Sequence, residues 1–330
     1  MEFPNYEKIN NLKQLIHNSL TPLINNDYVL LDVPNHRNIG DNLIWKGEKE
    51  FLKTIPFKEK YSCNHYTFEK KYISEKDVIL MHGGGNFGDI YPGAQNFRLK
   101  VLELFPNNKI IFLPQTIFFK NKEILKTQSI KLKEHKNLYI CVRDKKSQKL
   151  LSEFGIVDNV LLLPDMAFCL DLRNFIDENK KNKSLYLKRT DSEFNTELDE
   201  GKILNFLGRD KIIDIKDWPS YSNNLKINRW LVRRDVYKSK LSKLLIKIPL
   251  IKRAINPEYG MNSKGNLEKY IISGITFING YDNICTTRLH GFILSILLNK
   301  EVAIVDNSYG KNKEYFDTWL SDFEKIKFIK

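Results

Sequence analysis

The sequence predicts an α/β protein made of two parallel-sheet units. Three observations carry this expectation. Apolar runs of strand length alternate with segments of helical spacing along most of the chain. Polar residues collect where the apolar runs end, as they do where parallel strands hand over to helical crossovers. The chain also has 330 residues, more than one core usually serves.

Residues 5–25 read as a helix, since Ile9, Leu12, Leu15 and Ile16 recur on one face. Tyr28 to Val33 reads as a buried strand and ends in the polar loop Asn35-His-Arg-Asn-Ile-Gly-Asp41. Leu43 to Leu52 is the next helix, with Asp41 as its N-cap and as a candidate ligand contact. Asp77 to His82 is a strand that runs into Gly83-Gly-Gly-Asn-Phe-Gly88. Gly83, Gly85 and Gly88 fit GxGxxG, but they follow a later strand and open no apolar helix, so no dinucleotide site is expected. Three successive glycines can instead form a backbone nest for an anion; the plainer alternative is a tight turn.

Helices at Asn96–Phe105, Glu123–His135 and Asp144–Phe154 then alternate with strands at Lys109–Pro114, Leu138–Arg143 and Val160–Leu163. This gives a first Rossmann-like unit over residues 1–178, closed by the polar linker Asp177–Lys183. A second unit over 184–310 opens with strands at Ser184–Arg189 and Lys211–Ile215. A basic helical stretch (222–255) and a helix at Asn266–Phe277 follow. Ile284 to Thr287 is a strand end, Arg288-Leu-His-Gly291 turns the chain, and Phe292–Leu298 is an apolar helix held rigidly at the sheet edge. Glu301–Asp306 is the last strand expected. Residues 311–330 are read as a helix returning to the first unit.

Arg288 and His290 therefore sit at a strand end and helix start, where a basic fork and a titratable ring can face an anion. The bland alternative is a helix-start His and an Arg paired with a surface carboxylate. Arg189, at the end of the second unit's first strand, is a further candidate, with pairing to Asp191 as its alternative. Arg143, with Asp144 and Ser147, is read as holding a helix start and is a secondary candidate.

The net charge of +13 and pI near 9.3 point to an anionic partner: phosphate, nucleic acid or a membrane surface. No nucleic-acid module is present, so nucleic acid is not expected. The four Cys are scattered without CxxC or a Cys/His cluster, which indicates neither zinc nor disulfides. With no signal-peptide core and no span-length apolar run, the expected location is cytoplasmic or peripheral on the inner membrane face.

Gly40-Asp-Asn-Leu-Ile44, Met81-His-Gly-Gly-Gly-Asn86, Leu113-Pro-Gln115, Val142-Arg-Asp144 with Ser147, Pro164-Asp165 and Thr287-Arg-Leu-His-Gly291 stand in this order. The set resembles the polysaccharide pyruvyl transferases. The resemblance implies two Rossmann-like domains facing a cleft, as in B-type glycosyltransferases. It also implies phosphoenolpyruvate as donor and a sugar hydroxyl pair as acceptor; that reaction needs no redox cofactor, and with no Asp-rich motif in the sequence no metal is expected. Met166 stands where the family often has Pro. On this reading His290 and Arg288 are catalytic, His290 as acid/base. Arg189, Gly83, Gly84, Gly85, Asn86, Leu289 and Asp41 bind substrate. The competing reading is a B-type glycosyltransferase with a nucleotide-sugar donor.

The stretch Lys238–Ile255 places Leu241, Leu244, Leu245 and Ile248 on one stripe with Lys240, Lys243 and Lys247 on its flank, before Pro249 interrupts the helix. Two readings stand: a stripe packed on the second unit, or a peripheral contact with an anionic leaflet by an enzyme whose acceptor is lipid-linked.

Overall fold

Strands buried on both faces organise the first half, as the near-continuous apolar runs require of a parallel sheet covered by helices. In chain order the elements are α1 (Tyr6–Leu20), β1 (Tyr28–Leu31), α2 (Ile39–Leu52), β2 (Glu59–Cys63), β3 (Val78–Met81) and β4 (Gly84–Gly88). Then come α3 (Pro92–Leu104), β5 (Ile110–Phe118), α4 (Lys122–Glu134), β6 (Leu138–Val142), α5 (Lys145–Glu153) and β7 (Val160–Leu162). The second half contains β8 (Lys183–Leu187), α6 (Glu200–Leu207), β9 (Ile212–Lys216), α7 (Leu225–Leu245), α8 (Pro249–Lys252) and α9 (Asn266–Asn279). It closes with β10 (Asn283–Thr286), α10 (Leu289–Leu297), β11 (Glu301–Val305), α11 (Lys311–Trp319) and β12 (Ile326–Ile329). The computed structural model describes residues 3–189, 199–208, 211–221, 224–252, 255–260 and 266–330.

Every pairing between these described strands is parallel. The first sheet runs β2-β1-β3-β5-β6-β7, with β4 beside the far end of β5. The second runs β9-β8-β10-β11-β12. In each sheet the second strand in sequence lies outside the first, and the third lies on its other side. Successive crossovers therefore leave to opposite faces, and each sheet has a switch point: β1/β3 in the first and β8/β10 in the second.

The α/β architecture with two parallel sheets is the one expected. Three strands were not legible. β2 and β12 are short and interspersed with Glu and Lys. β4 lies where a nest or turn was expected, because glycines carry no strand propensity. Residues 311–330 hold not only a helix packed on α5 but also β12, which extends the second sheet beside β11.

One apolar cluster joins the halves. Trp45 from α2, Met166 after β7, Leu187 from β8 and Phe292 and Leu294 from α10 belong to it. A Cβ on Gly47 would fall 2.0 Å from the Met166 carbonyl oxygen, so α2 reaches that turn because residue 47 has no side chain. Phe292, Ile293 and Leu294 are fully buried. Each contributes about 1.5–3 kcal/mol by burial, which anchors the first turn of α10 where the two sheets meet.

Candidate active site

The two switch points open toward each other. At the first, β1 leads into the loop ahead of α2, and β3 leads to Gly83 and Gly84. At the second, β8 ends at Lys188-Arg189, and β10 ends at Thr287-Arg288 before α10. Arg288 occupies the N-cap position of α10, and no side chain caps that terminus.

His290, in the first turn of α10, lies across this junction. Its Nε2 is 3.3 Å from Asp165 Oδ2, and the side chain keeps 12% exposure. A Cβ on Gly40 would be 2.6 Å from His290 Nδ1, so the start of α2 can close over the ring only with glycine there. The positive end of α2 thus faces the imidazole.

Asp165 follows β7 and is fully buried. Its Oδ1 accepts the Ala167 N–H at 2.9 Å, and its own N–H donates to Tyr315 Oη at 2.9 Å. Its Oδ2 also receives Arg143 Nη1. Burial alone would raise the Asp165 pKa, but the His290 and Arg143 charges outweigh it and hold the carboxyl well below the usual range. Burial, and after it the same carboxylate, push the Tyr315 phenol well up.

Arg143, at the end of β6, is fully buried. Its Nε donates to Thr116 Oγ1 at 2.9 Å. Its Nη2 has no hydrogen-bond partner. That nitrogen lies 3.3 Å from where a Cβ on Gly85 would stand, and Lys311 Nζ lies 3.2 Å from the same point. A guanidinium N–H and an ammonium therefore flank space that exists because residue 85 has no side chain. A buried, unpartnered cationic N–H is costly unless an anion completes it.

The glycine run behaves differently from a three-amide nest. The Gly83 N–H donates to Glu48 Oε1 at 2.8 Å, while Glu48 Oε2 lies 2.8 Å from His82 Nδ1. Burial opposes charge on His82, but Glu48 prevails and raises its pKa. Gly84 adopts φ +115, which favours glycine, and begins β4. The Gly83 amide is thus already engaged, and Gly85 is the glycine that faces the cations.

The remaining predicted residues fall in distinct places. Asp41 is not the helix N-cap: α2 starts earlier, at Ile39, and Asn38 Oδ1 accepts the Gly40 N–H at 3.1 Å. Asp41 Oδ2 instead accepts from Asn38 Nδ2 at 2.8 Å, while Oδ1 is 4.0 Å from a Cβ position on Gly84. Asn86 Oδ1 accepts from Arg98 Nη2 at 2.9 Å. Leu289 puts its side chain into the core, so only its backbone can meet a ligand. Arg288 donates from Nε and Nη2 to Asp217 at 2.5 and 2.7 Å and packs over Tyr221, so its fork lies on a carboxylate rather than open to the cleft. Arg189 is buried at the second switch point, and its N–H donates to Thr287 Oγ1 at 2.9 Å; Asp191, its expected alternative partner, lies outside the described residues.

Sequence reasoning missed Asp165, Lys311 and Tyr315 as site residues. Pro164-Asp165 was visible as a strand-end motif, but nothing local says that its carboxylate meets a histidine 125 residues away. Arg143 was read as holding a helix start. That task falls to Asp144, whose Oδ1 accepts the Ser147 N–H at 2.7 Å. Among the described residues, no group of three or more His, Cys, Asp or Glu side chains could hold a metal ion.

Comparisons with known proteins show the family to which the chain belongs. A relative described as "Putative pyruvyl transferase EpsO" from Bacillus subtilis (strain 168) is 33% identical over 92% of this chain and 88% of its own length. "Pyruvyl transferase 1" of Schizosaccharomyces pombe (strain 972 / ATCC 24843) is 28% identical over 88% of this chain and 69% of its own. A crystal structure of an uncharacterized protein, KP1_0663 from Klebsiella pneumoniae subsp. pneumoniae NTUH-K2044, covers 97% of this chain and 99% of that one. It aligns with a TM-score of 0.59 at 21% identity, a likeness of fold. Residues 38–309 match the family described as "Polysaccharide pyruvyl transferase". The chain belongs to the polysaccharide pyruvyl transferase family.

Proposed function

We propose that this pyruvyl transferase takes phosphoenolpyruvate as donor and forms a pyruvate ketal on a pair of sugar hydroxyls, releasing phosphate. The observation that carries the reading is the unpartnered Arg143 Nη2 beside Lys311 at Gly85, in the same corner as the His290–Asp165 pair. A donor with two anionic groups suits two cations in a buried corner.

The chemistry balances with one acid/base. His290, oriented by the Asp165 carboxylate, protonates C3 of the enol. A sugar hydroxyl adds to C2, and its proton returns to the imidazole. The second hydroxyl then displaces phosphate from C2, and its proton leaves with the phosphate or through His290. General acid–base catalysis by one such group contributes about 10²–10⁴ in rate.

Arg143 from the first half and Lys311 from α11 in the second bind the donor at Gly85, and Arg189 approaches from the end of β8. Arg288 is a positioning residue: with Asp217 it fixes the start of α10, and so His290. The acceptor sugar lies in a cavity of about 550 Å³ lined in part by His36, Arg37, Trp45, Lys238, Tyr259 and Tyr270. Aromatic faces suit sugar rings, and the polar groups suit their hydroxyls. The loop that lines this cavity runs directly to Gly40 against His290.

Thermal unfolding with each candidate donor tests the reading without knowledge of the acceptor. Phosphoenolpyruvate should raise Tm in a concentration-dependent way. Stabilisation by a nucleotide-sugar, with none by phosphoenolpyruvate, would replace this reading with the glycosyltransferase one.

A further inference from the structure

The two long faces of α7 differ. The inner face holds the helix to the first half of the chain. Arg37 Nη2 pairs with Asp235 at 2.7 Å, and Asn35 Nδ2 donates to Ser239 Oγ at 3.2 Å. Ser242 and Ile246 are buried on the same side. The expected apolar stripe is thus divided: Leu241 and Leu245 are half-buried, while Leu244 and Ile248 face outward.

On the outer face Trp230, Tyr237 and Leu244 stand 59%, 67% and 62% exposed. They are seven residues apart and so form one apolar stripe. Arg233, Lys240 and Lys247 are exposed at the same spacing and form a parallel basic stripe, flanked by exposed Arg229 and Lys243. Past the turn at Pro249, Leu250 and Ile251 continue the apolar surface, with Leu250 89% exposed. From Lys226 to Lys247 the sequence carries eight Lys and Arg and one acid, Asp235, which is turned inward onto Arg37. No described helix is long and apolar enough to cross a membrane, so an embedded span does not explain the surface.

We propose that α7 and α8 dock the protein on an anionic lipid bilayer. An interfacial helix needs apolar side chains that enter the headgroup boundary and cations that meet acidic lipids alongside them. Trp and Tyr favour that boundary because one end of each ring system is apolar and the other polar. Charge complementarity selects an acidic leaflet over a neutral one: five cations on this face, with no acid among them, attract anionic headgroups. The inner edge of α7 supplies Arg234, Asp235 and Lys238 to the 550 Å³ cavity. A docked α7 therefore sets that cavity at the membrane surface, where a sugar carried on a lipid would be presented.

This goes beyond the proposed reaction, and its test needs no turnover, so failure of one leaves the other standing. The full chain is co-sedimented with vesicles of phosphatidylcholine alone and of phosphatidylcholine mixed with phosphatidylglycerol, at low and high salt. The expected result is binding to the mixed vesicles that weakens as salt screens it. A Lys240→Glu/Lys243→Glu/Lys247→Glu variant with unchanged Tm should lose about tenfold or more of that binding. Trp230→Ser/Leu244→Ser/Leu250→Ser keeps every charge and should also bind more weakly, because adhesion needs the apolar stripe. The salt dependence of the unmodified chain is a readout that no folding defect can imitate. Equal or negligible binding to both vesicles overturns the proposal. So does concentration-dependent dimerisation abolished by Leu250→Glu in a chain that ignores vesicles, which would assign the face to a second copy of this chain.

Discussion

Arg143 and Arg288 invite comparison because they look alike in the sequence and do different things in the fold. Each follows a short buried strand of a parallel sheet, and each is buried against an aspartate. Arg288 gives two nitrogens to Asp217, in the manner of a guanidinium–carboxylate pair that fixes geometry. Arg143 divides its fork among Thr116, Asp165 and an N–H with no hydrogen-bond partner. A motif arginine is thus not a ligand arginine by type. The carboxylates that reach it decide where its fork points, and those come from distant segments.

The largest effects are expected where the comparison is sharpest. His290→Ala should cut turnover by about 10²–10⁴ in a folded protein. Arg143→Lys should reduce kcat/KM for phosphoenolpyruvate by about 10² or more, since a point charge cannot contact Thr116, Asp165 and a ligand together. Steady-state kinetics and donor-dependent thermal shifts check both. A tenfold or smaller loss for Arg143→Lys, with donor stabilisation retained, would move the anion site away from Gly85.

Stability should separate the two corners as well. Asp165→Asn removes the carboxylate from a fully buried pair and leaves the Arg143 charge uncompensated, a loss of about 3–5 kcal/mol. Urea unfolding measures it. A change under about 1 kcal/mol would mean that water or an ion already shares the charge.

Arg288→Lys gives the smaller contrast. The positioning role predicts a lower Tm and a fall in kcat, from a loosened His290, with donor KM nearly unchanged. A rise in KM at constant kcat would instead give Arg288 the donor contact that Arg143 holds in our reading.

The switch-point loops and the Arg-Leu-His turn were legible because each is local: a strand length and a helix start. The alternation of apolar runs was enough for both sheets. What sequence could not give were pairings across the halves. Asp217 lies 71 residues from Arg288 and Asp165 lies 125 from His290, in segments with no shared periodicity. β4 was hidden because its pairing with β5 comes from backbone groups of glycines, not from side-chain pattern. The exposure of Leu244 was hidden for the opposite reason. Two faces of α7 carry apolar residues, and spacing alone cannot say which face is covered.

The mildest prediction concerns His82 and Glu48, which hold the Gly83 amide behind the anion corner. Burial resists a charged His82, and the Glu48 carboxylate overcomes that resistance, so the folded pKa lies above that of the unfolded chain, which is about 6.5. The sign follows from linkage. Between the two pKa values the folded state binds more protons than the unfolded state, so the contribution is fully present below about pH 6.5. It is lost as pH rises through the folded value. Tm should therefore fall across that window more steeply in the native chain than in a His82→Asn variant, whose amide can still donate to Glu48 without titrating. Phosphoenolpyruvate should stabilise both proteins to a similar extent, since the corner at Gly85 keeps its cations. Parallel Tm-versus-pH profiles for the two would show that the His82 pKa is the same in the folded and unfolded chain, and that Glu48 holds Gly83 without help from charge.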